Sequence, residues 1–81
     1  SEGQYEEAAK GFEEIIRKYP GTDSEVAAYC NLGMSYEYLH KWKEAAEAYN
    51  KVLLKYEGSP EQVDAVVFAR QHRDWIVENR L

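Results

Sequence analysis

Apolar residues recur at Tyr5, Ala8, Ala9, Phe12, Ile15, Ile16 and Tyr19, in steps of three and four with polar residues between them. That spacing puts them on one stripe of a helix and predicts a first helix over residues 2–19. Pro20 and Gly21 end it: proline disfavours helical angles in the residue before it, and glycine accepts left-handed ones. Thr22 and Glu25 then have the spacing of a capping box, opening a second helix over residues 23–39. Its stripe is Val26, Tyr29, Leu32, Gly33, Tyr36 and Leu39. His40 and Lys41 form a tight turn, with His40 at a position where left-handed angles are expected. The third stripe is Trp42, Ala45, Ala46, Tyr49, Val52, Leu53 and Tyr56, closed by Gly58. Ser59, Pro60 and Gln62 supply an N-cap, a first-turn proline and a capping-box amide for a fourth helix reaching about residue 80. No stretch alternates with a period of two. The chain therefore reads as all-α, four antiparallel helices with short connections.

The third stripe repeats the first. Thirty-seven positions on, Glu7-Ala8-Ala9 recurs as Glu44-Ala45-Ala46, Lys18-Tyr19 as Lys55-Tyr56 and Gly21 as Gly58. A period between twenty and fifty residues signals a solenoid, in which each unit buries its apolar side only against its neighbours and the array presents a surface. Binding of another protein is the function this organisation suggests.

The residues Tyr29-x-x-Leu32-Gly33-x-x-Tyr36 followed by Ala45-x-x-x-Tyr49 resemble the tetratricopeptide repeat, whose pattern is Trp-x-x-Leu-Gly-x-x-Tyr, then Ala-x-x-x-Phe, then Pro. Ala8-x-x-x-Phe12 with Pro20 matches the second half alone. The resemblance implies a right-handed solenoid divided into a half repeat (2–20), one full repeat (22–58) and a C-terminal capping helix (59–81), with Gly33 facing Ala45 at the closest approach of the hairpin. Its long connections are similar to those of bacterial envelope tetratricopeptide proteins. Arg70 stands at the position of Gly33 and Arg73 at that of Tyr36, so the fourth helix is expected to present a polar outer face with no helix packed beyond it.

In this family partners usually lie in the concave groove formed by the first helix of each hairpin. The resemblance thus assigns Ala27, Cys30, Asn31, Met34, Glu37 and Tyr38 to the groove from the second helix. From the fourth it assigns Asp64, Val67, Phe68, Gln71, Asp74 and Trp75. Apolar anchors bordered by three carboxylates suit a protein or peptide with apolar side chains and some positive charge. Packing of Val67, Phe68 and Trp75 within the fold or against an oligomer mate is the alternative. The carboxylate clamp of chaperone-binding members finds only Asn31 in place, Cys30 and Met34 standing where it needs a lysine and an asparagine, so an acidic chain terminus is not an expected ligand.

The first helix has the stripe of a second-in-hairpin helix without the partner that would cover it. Tyr5, Ala8, Phe12 and Ile15 are therefore expected to form an edge that an upstream repeat, a second copy of the chain or an exchanged helix covers, and this chain by itself is expected to self-associate through it.

Composition narrows the chemistry. With 81 residues and one cysteine, the chain has room for one domain and no internal disulfide. A net charge of −5 without a run of Lys or Arg argues against nucleic acid. No apolar run approaches the roughly 20 residues of a membrane span. A mature periplasmic segment would look the same as a cytoplasmic one, so the compartment stays open. Two histidines with no paired spacing give no metal site and no cofactor is implied. Cys30 and His72 lack a third orienting group, so a non-catalytic module is expected. The acidic face of the first helix, Glu6, Glu7, Glu13 and Glu14, reads as solvated.

Overall fold

The computed structural model describes residues 1–81. It contains α1 (Glu2–Lys18), α2 (Asp23–Tyr38), α3 (Trp42–Tyr56), a 3-10 turn (Pro60–Gln62) and α4 (Val63–Asn79), with no strand. Each helix packs on the next in sequence, and α2 also touches α4. Ala9, Leu32 and Ala48 form a small cluster joining α1, α2 and α3. The helices therefore form two layers, α2 beside α4 and α1 beside α3, in a slab of 34 × 31 × 15 Å. No helix is long and apolar enough to cross a membrane.

The main core lies between α2, α3 and α4. Val26, Ala45, Ala46, Tyr49, Val52, Leu53, Val66, Ala69 and Ile76 are buried there. Burying each of the large members contributes about 1.5–3 kcal/mol. Tyr49 sits at its centre. A β-carbon on Gly33 would lie 2.5 Å from the Tyr49 ring, so the missing side chain at Gly33 is what admits this ring between α2 and α3. Helical side chains lean toward the N-terminus, which carries the Tyr49 ring back over the turn that contains Ala45.

The turns follow their residues. After α2, the His40 amide donates to the Glu37 carbonyl (3.0 Å) and the Lys41 amide to that of Tyr36 (2.8 Å). This is the Schellman pattern, and it holds His40 at φ 57°, in the left-handed region. Gly21 and Gly58 take positive φ at the equivalent points of the two long connections.

Two cap assignments are corrected. The Thr22 hydroxyl accepts the Glu25 amide, but the Glu25 carboxylate reaches past Thr22 to the Gly21 amide (3.2 Å). The same carboxylate also accepts from Lys55 Nζ (2.7 Å) and from the Tyr56 hydroxyl, across from α3. Glu25 is only 1% exposed. Burial alone would raise its pKa; the hydrogen bonds from Lys55, Tyr56 and Gly21, with the Lys55 charge, outweigh burial and lower it. At α4, Ser59 does not cap with its side chain. The Gln62 amide donates to the Ser59 carbonyl (3.1 Å), closing the 3-10 turn, while the Gln62 side chain donates to Asp23 Oδ1 (2.6 Å) and ties the starts of α2 and α4 together.

Tyr5, Ala8, Phe12 and Ile15 are half-buried, and Phe12 packs with Ile16 and Tyr36 on the Ala9, Leu32 and Ala48 cluster. On α4 the outer side is not purely polar: Val63, Val67 and Val77 are exposed there. Arg70 pairs with Glu57 beside them.

Candidate functional site

The α2 and α4 layer presents a hollow of about 290 Å³ lined by Met34, Glu37, Tyr38, Trp42, His72 and Trp75, with Gln71 adjoining. Met34, Glu37 and Tyr38 are on successive turns of one face of α2. Phe68, His72 and Trp75 follow the same rule on α4, at i, i+4 and i+7. Trp42 enters from the start of α3 because the Schellman turn at His40 brings it back over the end of α2.

The floor is a polar cluster. Glu37 Oε2 accepts the Tyr49 hydroxyl and lies 2.7 Å from His72 Nδ1. A carboxylate only accepts, so the imidazole proton sits on Nδ1. Burial first, and then the hydrogen bond to Glu37 and its negative charge, hold the Tyr49 phenol protonated far above the ordinary tyrosine range. The walls are aromatic. Trp42 and Trp75 are tilted at 57° with centroids 6.0 Å apart, His40 stacks on Trp42 at 5.4 Å, and Tyr38 stacks on Tyr5 at 4.5 Å. The Arg80 guanidinium lies 5.1 Å from both indole centroids.

Of the residues assigned from sequence, Met34, Glu37, Tyr38, Gln71 and Trp75 come together around this hollow. Phe68 packs edge-on against Tyr49 and over His72 at 4.1 Å, and it joins Cys30 against the main core. Burial pushes the Cys30 thiol pKa up, which disfavours the thiolate. Ala27 and Asn31 line a separate hollow of about 270 Å³ between α1 and α2, with Phe12, Ile15 and Tyr19. Val67 borders a third with Pro60, Val63 and Arg70. Asp74 bonds Arg73, which also reaches Asn50 on α3 (2.9 Å), and Asp64 stands exposed. The three carboxylates thus do not converge: only Glu37 lines the hollow. Trp42, His72 and Arg80 belong to the site and are missed by the family pattern. The i, i+4, i+7 run of Phe68, His72 and Trp75 is the signal for His72; Trp42 is masked by its place in a core stripe, and Arg80 lies beyond the periodic segment.

No group of His, Cys, Asp and Glu side chains is arranged to hold a metal ion.

The motif at the heart of this geometry, a glycine on one helix receiving an aromatic ring from the next within a two-layer stack, defines a helical-repeat protein. Residues 26–59 match one tetratricopeptide repeat family model and residues 1–22 match another, together more than half of the chain. The chain belongs to the tetratricopeptide repeat family. Repeats of this family generally mediate protein–protein interaction, and its members are typically non-catalytic scaffolds. No curated protein and no solved structure matches the chain.

Proposed function

We propose that this chain is a scaffold module that holds a peptide or helix of a partner protein in the hollow between α2 and α4. The observation that carries this reading is the exposure of two large rings at its rim, Tyr38 at 63% and Trp75 at 45%, beside the half-buried Met34. Rigid aromatic side chains that stay open to solvent next to a concavity are the residue types that dominate binding energy in interfaces. Capture of partners from extracts of the source cell tests it. A double variant Tyr38→Ala with Met34→Glu should lose the partner while its helical circular dichroism is unchanged. Retained capture would place the partner elsewhere.

Self-association is the second reading. Val63, Val67 and Val77, exposed on one side of α4, favour it, together with the hollow that Phe12 and Ile15 line between α1 and α2. Two such ends on one chain allow a head-to-tail, heterologous contact.

A further inference from the structure

Resting on the groove reading above, we infer that the Trp42 and Trp75 pair is a guanidinium site, filled in the free chain by its own Arg80 and taken over by an arginine side chain of the bound partner. Arg80 is the internal stand-in: its cationic carbon is equidistant, at 5.1 Å, from the two indole centroids, and its side chain forms no salt bridge. Indole faces attract a cation through their quadrupole, and a planar guanidinium stacks on them better than an ammonium does. The same two rings line the hollow, so a side chain entering it meets them from the groove.

The charge of the hollow selects the same ligand. Its lining holds one carboxylate and no lysine or arginine. Glu37 spends Oε2 on Tyr49 and His72, whereas Oε1 accepts no hydrogen bond within the chain. An arginine laid against the indoles would find aromatic faces for its plane and an acceptor for its N–H groups. Arg80 sits at the C-terminal end of α4, on an exposed residue one past the helix, where it swings aside without disturbing the core. The contact is thus an internal competitor, which lowers the apparent affinity by the fraction of chains it occupies.

Trp42 and Trp75 are the only tryptophans in the sequence, so their indole N–H signals in a proton–nitrogen spectrum report this site alone. Acetyl-arginine amide, titrated into the 81-residue chain, should move both signals, whereas acetyl-citrulline amide, its neutral isostere, should leave them in place. In Arg80→Gln, the half-saturating concentration of the arginine probe should fall about three- to ten-fold, and Arg80→Lys should lie between the two. An equal response to citrulline, or the same half-saturation in all three chains, would overturn the proposal. These outcomes are separate from the groove reading, which fails on partner capture by the Tyr38 and Met34 double variant.

Discussion

Gly33 lies so close under the ring of Tyr49 that a β-carbon would sit 2.5 Å from its Cε1 and Cζ. The ring cannot yield. It is fully buried, and its hydroxyl is fixed to Glu37. Gly33→Ala should therefore lower stability by about 1–3 kcal/mol, the usual cost of overpacking, despite alanine's better helix propensity. The urea midpoint measures it; a midpoint equal to that of the unaltered chain would mean that the helices separate freely here.

Glu25 is the buried cross-link between α2 and the end of α3, so Glu25→Gln should cost about 1–3 kcal/mol, leaving Lys55 and Tyr56 without their charged acceptor. The pH dependence has a definite sign. The carboxyl pKa is below its ordinary 4.5 in the folded chain, so the unfolded chain binds the proton first. The stabilisation is complete above about pH 4.5 and is lost as pH falls through the folded pKa. Chemical denaturation of both chains from pH 7 to pH 3 should show their difference narrowing below about 4.5; a constant difference would contradict the assignment.

At the alkaline end Tyr56 gives the complementary test. Its phenol is pushed up to about 12 from 10, chiefly by the hydrogen bond it donates to Glu25. Its protonated form is favoured in the folded chain, so this contribution is present below pH 10 and is lost as pH rises through 12. Ultraviolet titration should find a tyrosine step near pH 12, short of Tyr49, which stays protonated beyond it, and Tyr56→Phe should remove that step.

His40 holds φ 57° between α2 and α3. A β-branched residue there is strained, and His40→Val should cost about 1–2 kcal/mol, read as a lower thermal midpoint. His40→Asn, which tolerates the same angles, should stay close to the unaltered chain.

For self-association, light scattering decides. Val63→Glu with Val67→Glu should shift the chain toward monomer if the outer side of α4 is an interface. Unchanged mass, with helix content retained, would remove α4 from that role.

The helices and their breaks are legible in the chain because apolar period, Pro20, Gly21, Gly58 and the left-handed His40 all act locally. What one residue does between helices is less so. Thr22 and Glu25 have capping-box spacing, yet the register of α3 delivers Lys55 and Tyr56 to the same carboxylate, a long-range fact that no local pattern encodes. The groove shows the same division. Met34, Glu37, Tyr38, Gln71 and Trp75 share the faces that the family pattern predicts, while Asp74 is drawn aside by Arg73, and Val67 turns to the outer side of α4. Trp42 reads as interior from its stripe, but the turn at His40 places it at the rim.

Tyr49 has its ring in the interior and its oxygen under the groove. The surface proposed to meet a partner and the joint between α2 and α3 are therefore two ends of one side chain. Under that proposal a ligand pressing on Glu37 would press on the hairpin's hinge pin, and a side chain added at Gly33 would reach the groove through the Tyr49 ring.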